Sequence, residues 1–344
     1  MLQLFAFSSA THRPRRWWQY ISLAVVTLLL CVACNGSQQA NNANGNASLT
    51  VANSPWPGFV AQFIADEKGF YDEEGITIKE QHIMVATDVN TALLTDKVDL
   101  AWTGVPDMVV MANSDPSLRL IAVSDYSDGA DGILVKDVST PEDMIGKTIA
   151  WEELPLQSLL LQGYLKDSGV SINDLNLTVM GAADAATAFA NDKVDVAITF
   201  EPWLSSAVED GKGDLVFTSE GTNLIAGGLV GKTSVIESRR TEIEAYLRAL
   251  EKGFDFYESN REEALEIVAS KLELDPEELP PILDKVRLFK PSEHQSVVFN
   301  DQNSLNIMDS IDFAAEVGKE MDIVNDDVDP SKLYDSSFTE PISS

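Results

Sequence analysis

Residues 88–106 read DVNTALLTDKVDLAWTGVP, and residues 184–202 read DAATAFANDKVDVAITFEP. At an offset of 96 they agree at ten of nineteen positions, including the whole of Asp96-Lys97-Val98-Asp99 against Asp192-Lys193-Val194-Asp195. A fixed-offset repeat points to two copies of one supersecondary unit. A weaker echo lies upstream, where Thr50-Val51-Ala52 with Pro57 is answered by Thr148-Ile149-Ala150 with Pro155.

Working outward, each copy shows the same order of elements. A short apolar strand (Leu49–Asn53, Thr148–Trp151) leads through a proline turn into an amphipathic helix (Phe59–Glu67, Gln157–Lys166). A second strand follows (Ile76–Glu80, Leu175–Met180), then a short helix (Asp88–Thr95, Ala183–Asn191) and a third strand (Leu100–Thr103, Val196–Thr199). Strands alternating with helices imply parallel α/β sheets, and two copies imply two similar lobes. In open α/β sheets ligands bind beyond the carboxyl ends of the strands. The loops to watch are therefore Trp56-Pro57 and Thr103 to Asp107 in one lobe, and Trp151-Glu152 and Glu201-Pro202-Trp203 in the other. Beyond the repeat, Glu237–Ser259, Arg261–Lys271 and Gln302–Glu320 carry apolar residues at helical spacing. Asp275-Pro276-Glu277-Glu278 reads as a helix start.

The N-terminus has a different character. Arg13, Arg15 and Arg16 precede thirteen mostly apolar residues, Ile21 to Ala33. That run is shorter than the roughly 20 residues a membrane span needs, and a basic start before a short apolar run is the pattern of an export signal. It ends Cys31-Val32-Ala33-Cys34, which resembles a bacterial lipobox with Cys34 as the lipidated residue. Residues 34–48 then hold no charge and no large apolar side chain before Leu49, a composition that cannot offset ordering entropy and reads as a tether.

Composition narrows the function. The chain has 24 basic and 55 acidic residues. Residues 1–33 hold three arginines and no acid, so the part from Cys34 onward carries a net −34 (21 − 55). That excludes the basic stripes of a nucleic-acid partner; it suits solubility, and also a cationic ligand. The only cysteines are Cys31 and Cys34, and His82 and His294 are the only histidines beyond the signal. A Cys/His metal site and a catalytic thiol are thereby excluded. No cofactor is expected, and the chain is expected to be a monomer.

The motifs carry a resemblance. Trp56-Pro57-Gly58, Glu67-Lys68-Gly69-Phe70, Asp125 to Ile133 (DYSDGADGI), Gly146 to Ala150 (GKTIA) and Thr199 to Leu204 (TFEPWL) resemble the nitrate/sulfonate/taurine-type substrate-binding proteins of ABC importers. The resemblance covers the whole chain beyond the tether. It implies a type II periplasmic-binding-protein fold, two similar lobes with a hinged ligand cleft. Crossovers are expected near Asp137–Pro141 and Gly227–Gly231, giving residues 49–138 plus 229–344 as lobe one and 139–228 as lobe two. It implies as partners a small polar nitrogen- or sulfur-containing ligand, an importer permease, and a membrane reached through Cys34, hence a periplasmic or cell-surface location. The family's small hydroxyl residues after the lobe-two strand are replaced here by Trp151-Glu152-Glu153-Leu154-Pro155, which weakens an anionic ligand.

The expected lining of the cleft is Trp56, Trp102, Thr103, Asp107, Tyr126 and Asp131, with Trp151, Glu152, Glu201 and Trp203 from the facing lobe. Aromatic faces attract cations, and a buried carboxylate needs a partner, so an amine or amidinium group fits, with Glu201 and Trp203 foremost. Trp102 is equally accounted for as core, and Glu152 and Asp107 as solvated rims. Two other classes stay open. One is an enzyme on the same fold, like the thiamine pyrimidine-precursor synthases, which rely on the histidine that is scarce here. The other is a sensor or scavenging lipoprotein without an importer.

Overall fold

A computed structural model describes residues 47–211, 213–325 and 327–343. The expected signal, Cys34 and all but the last two residues of the tether lie outside the described residues. Residues from Asn46 onward form one compact unit.

The first copy of the repeat runs β1 (Ala47–Asn53), α1 (Val60–Lys68), β2 (Ile76–His82), α2 (Ala86–Leu94) and β3 (Leu100–Gly104). Next come α3 (Val105–Met111), β4 (Leu118–Ser127) and β5 (Asp131–Val135). The second copy runs β6 (Thr148–Trp151), α4 (Pro155–Leu165), β7 (Asn176–Val179), α5 (Ala182–Ala190) and β8 (Val196–Phe200). It is followed by α6 (Trp203–Gly211), β9 (Asp214–Thr218) and β10 (Ala226–Lys232). The C-terminal part holds α7 (Arg240–Ser259), α8 (Arg261–Leu272), β11 (Val286–Leu288) and α9 (Ile307–Glu320).

Two sheets result, with strand orders β11-β4-β10-β3-β1-β2 and β7-β6-β8-β5-β9. In each, the repeat's three strands are parallel, β1 with β2 and β3, and β6 with β7 and β8. An antiparallel strand then joins the third, β10 on β3 and β5 on β8.

The DKVD motif is what builds both copies. Asp96 and Asp192 adopt positive φ, 58° and 54°, a conformation that Asp and Asn tolerate best among residues with a Cβ. Asp99 and Asp195 accept the backbone N–H of Thr50 and Thr148 at 2.7 and 2.8 Å, tying the third strand to the first. Lys232 reaches Asp96 at 2.7 Å, and Lys136 reaches Asp192 at 2.5 Å. The two lysines are again 96 residues apart (232 − 136), so the repeat extends to β5 and β10.

The crossovers differ from expectation. The chain leaves the first sheet after Ser127 and enters the second at Asp131, and it returns between Thr218 and Ala226. The expected boundaries at 138/139 and 228/229 therefore shift, since β5 is in the second sheet and β10 lies whole in the first. The Asp137–Pro141 turn signal is real, but it marks the far end of β5. Gly129, with φ of 106°, turns the chain at the first crossover. Three smaller differences concern helix starts. The Glu237–Ser259 pattern divides at Arg239 into Thr233–Ser238 and α7. The last helix begins at Ile307 rather than Gln302, because the Asn306 side chain accepts the Asp309 N–H at 3.1 Å and caps it there. The expected start at Asp275 is a turn, with a short helix only at Leu279–Leu283.

The first sheet is covered on both faces. α1, α7 and α8 bury Phe63, Ile64, Tyr246, Leu250 and Val268 against one side, and α3 and α9 bury Met108, Val109 and Ile311 against the other. Each such side chain contributes about 1.5–3 kcal/mol on leaving water. α7 crosses α1 so closely that a Cβ on Gly253 would stand 2.3 Å from the Ala61 carbonyl oxygen. The C-terminal segment thus wraps the first lobe and leaves the carboxyl ends of the strands free to face the second.

Candidate functional site

Between the two sheets lies a cavity of about 60 Å3. One water needs roughly 10–15 Å3 in such a measure, so the cavity has room for about four to six waters. The first lobe supplies Trp56 and Phe59 beyond β1, Trp102 and Thr103 from β3, Asp107 from α3 and Asp125 from β4. The second supplies Asp131 from β5, Leu154 and Leu156 around the start of α4, and Phe200 ending β8. Three carboxylates line the space, and no Lys, Arg or His does so among the described residues.

Asp125 is fully buried, yet only one of its oxygens is occupied. Oδ2 accepts Trp56 Nε1–H at 3.0 Å and the Ser124 hydroxyl at 2.5 Å, while Oδ1 has no hydrogen-bond partner among the described residues. Asp131 is 3% exposed, and its Oδ2 likewise lacks a partner. Burial lifts Asp125 to about 6 and Asp131 to about 7, the latter helped by the neighbouring charges of Asp125 and Glu201. Burial also lifts Asp107 to about 7, against a hydrogen bond from the Leu156 backbone N–H at 3.0 Å. Unsatisfied buried carboxylate oxygens cost several kcal/mol unless something pairs with them. Glycine makes the cluster fit: a Cβ on Gly58 would lie 2.2 Å from Asp125 Oδ2, and one on Gly227 would lie 2.8 Å from it.

The aromatic walls are fixed by their own contacts. Trp56 meets Phe200 edge-on with centroids 5.9 Å apart, which spans the cleft. Phe59 lies tilted against Trp102 at 5.4 Å, and Trp102 Nε1–H donates to the Tyr246 hydroxyl at 3.0 Å. A cation over such faces gains roughly 0.5–2 kcal/mol.

Of the residues expected from sequence, Trp56, Trp102, Thr103, Asp107 and Asp131 line the cavity. The other five do not. Tyr126 is core: it packs edge-on to Phe289, and its hydroxyl donates to the Asn306 carbonyl at 3.2 Å. Trp151 is buried beneath the second sheet among Ile149, Leu160 and Ile198. Glu152 links the lobes, accepting the Thr87 backbone N–H and hydroxyl at 2.8 and 2.9 Å and the Ala182 N–H at 3.1 Å. Glu201, expected to meet the ligand, is fully buried but paired with Lys285 at 2.6 Å and with the Ser205 hydroxyl at 2.7 Å. Trp203 packs against Phe200 at 5.1 Å, beside the second lobe's own core. Glu152 and Asp107, read as solvated rims, are 2% and 1% exposed. Asp125 was missed as a lining residue. The signal was a carboxylate directly following the apolar run Leu120 to Val123 and Ser124, near the carboxyl end of a strand. Phe59 and Phe200 were missed because a strand end does not reveal which side chain turns inward.

Two α/β lobes joined by two crossovers, with a cavity between the strand ends, define a solute-binding protein of the periplasmic-binding-protein fold. The chain belongs to the NMT1/THI5-like family, whose model matches residues 56–264, more than half its length. It is 24% identical over 271 residues to a Bacillus subtilis (strain 168) protein named for binding aliphatic sulfonates, covering 76% of this chain and 80% of that one. It is 20% identical over 288 residues to the formylaminopyrimidine-binding protein of Halalkalibacterium halodurans, covering 77% and 86%. Among solved structures, the alkanesulfonate-binding protein from Xanthomonas axonopodis pv. citri, bound to MOPS, superposes with a TM-score of 0.71 at 18% identity, covering 84% of this chain and 98% of that one.

Proposed function

We propose that this protein is the extracytoplasmic receptor of an ABC importer, held to a membrane through lipid on Cys34, which captures a small polar nitrogen- or sulfur-containing solute between its lobes and hands it to the permease. The observation that carries this reading is the cavity shared by two lobes whose only covalent links are two short crossovers. Such lobes close by hinge motion around a ligand, and Glu152 with Thr87 and Asp107 with Leu156 are hydrogen bonds that join the lobes across the cleft. The relatives named for binding sulfonates and a formylaminopyrimidine support the solute-receptor role. The anchor is tested by feeding cells labelled palmitate: the intact chain should carry label and sediment with membranes, and Cys34→Ser should do neither. Delivery is tested by uptake of the solute eluted from the purified protein. Unchanged uptake in cells lacking this chain would remove the importer role.

A further inference from the structure

We infer that the two lobes carry a reciprocal clasp, in which each lobe supplies the carboxylate that caps a helix of the other: Glu152 of the second lobe caps α2 of the first, and Asp107 of the first caps α4 of the second. The inference rests on the two-lobed receptor reading above and assigns the residues that set how readily that receptor's cleft shuts.

The helices lack caps of their own. α2 follows Val85, α4 follows Leu154 and α5 follows Gly181, and none of the three makes a side-chain cap bond. Ser, Thr, Asp or Asn there would satisfy one of the first backbone N–H groups; Val, Leu and Gly have no side-chain oxygen with which to do so. Glu152 supplies what is missing. Its Oε1 accepts the N–H of Thr87, second residue of α2, at 2.8 Å and the Thr87 hydroxyl at 2.9 Å, while Oε2 accepts the N–H of Ala182, first residue of α5, at 3.1 Å. One carboxylate thus serves two N-termini, and they belong to the equivalent helices of the repeat, since Ala86 and Ala182 are 96 residues apart (182 − 86). In the other direction, Asp107 Oδ1 accepts the N–H of Leu156, second residue of α4, at 3.0 Å. Glu152 and Asp107 are 2% and 1% exposed. Every donor to the Glu152 carboxylate is uncharged, and the positive ends of two helices steady it instead. Gln157 Oε1 accepts the Glu152 N–H at 3.0 Å and fixes the root of the clasp on α4. The lobes also meet at this point, where a Cβ on Gly181 would stand 3.3 Å from Val85 Cγ2. Separating the lobes strips the caps from α2 and α4 together. Each lost cap shifts an equilibrium about two- to thirtyfold, so the pair weights the lobes toward closure. A solute's apparent affinity follows the fraction of protein in the competent state. Glu152 is therefore a positioning residue, acting on affinity without lining the cavity.

The test is hydrogen exchange of the full chain in detergent, resolved to single amides by mass spectrometry, at pH 8, above the value of about 7 to which Asp107 is lifted. Glu152→Ala should speed exchange at Leu156, whose N–H is held by Asp107 and not by Glu152. Asp107→Ala should speed it at Thr87, whose N–H is held by Glu152. Each acceleration should be about two- to thirtyfold, and amides inside β1, β6 and β8 should exchange as before. Thr87→Val removes the hydroxyl bond and keeps the N–H bond, so it should speed Leu156 by a smaller factor; it decides the matter if Glu152→Ala does not fold. Unchanged exchange at Leu156 in the folded variants overturns the clasp. An acceleration spread evenly through the strands also overturns it, since that is the mark of a merely structural role. The solute-receptor reading stands or falls separately, on the uptake experiment.

Discussion

Replacing Asp131 by Asn should stabilise the ligand-free protein, and by an amount that depends on pH. The carboxyl is lifted from 3.8 to about 7 in the folded state, by burial first and by Asp125 and Glu201 after it. A raised carboxyl makes the folded state bind more protons than the unfolded chain, so its stability is fully present below pH 3.8 and is lost as pH rises to 7. At about 1.36 kcal/mol per unit, the loss at pH 8 is about 4 kcal/mol; it is about 1.6 kcal/mol at pH 5 and small near pH 4. Asn keeps the shape and removes the titration. Asp107 and Asp125 also face the site, and Ser127 and Ser219 supply hydroxyls beside it. Relief of repulsion on those two carboxylates is shared, so the measured gain should fall between about 2 and 4 kcal/mol. At roughly 2–4 °C per kcal/mol for a chain of this size, the unfolding midpoint at pH 8 should rise by about 4–16 °C. His294 works in the opposite sense: burial lowers it to about 4, so its contribution is lost as pH falls from 6.5 toward 4. It is present in both proteins and cancels in their difference. Calorimetric scans of the two proteins at pH 4, 5, 6, 7 and 8, without ligand, give the comparison. A variant no more stable than the parent at pH 8, or a gain that does not shrink on acidification, would refute the claim that Asp131 is a buried carboxylate held at a cost to stability for the sake of a ligand.

Lys285→Met should strand the buried Glu201 and cost about 1–3 kcal/mol by urea unfolding, discounted because Lys285 is 35% exposed; Glu201→Gln with Lys285→Met should recover part of it. Glu201→Gln alone should leave ligand affinity unchanged in the calorimeter, because that carboxylate is committed to Lys285 and Ser205. Gly58→Ala should force a methyl against Asp125 and Trp56, costing about 1–3 kcal/mol of stability and abolishing binding of whatever ligand the intact protein takes. Asp99→Asn and Asp195→Asn should destabilise by similar amounts, about 1–2 kcal/mol each, as read by urea unfolding, since each removes the same carboxylate from the same strand-to-strand bond.

Most of the architecture was already legible in the chain. DKVD appears twice because each copy needs an Asp that tolerates positive φ and a second Asp that reaches the first strand, and both needs are local. Strand identity within each copy follows from runs of apolar residues bounded by turns, and the observed strands agree with expectation to within two residues at nearly every end. The cleft's location follows from the topology, since parallel strands put their carboxyl ends on one side. Trp56, Trp102, Thr103, Asp107 and Asp131 could therefore be named without coordinates.

What the chain alone left undecided was which side chains the cavity receives and which acids already have partners. Glu201 and Asp131 look alike in sequence, each an acid at a strand end beside glycine, proline or aromatics. Lys285, 84 residues further on, neutralises one and not the other. Glu152 reads as a rim residue until Thr87 of the opposite lobe closes over it. Asp125 became a lining residue only when Gly58 and Gly227 let Trp56 and β10 approach it. Periodicity and turn chemistry act within a few residues, so the sequence by itself determined the two lobes and the cleft between them. The charge that the cleft presents depends on pairings between distant segments, and only the tertiary structure decided those.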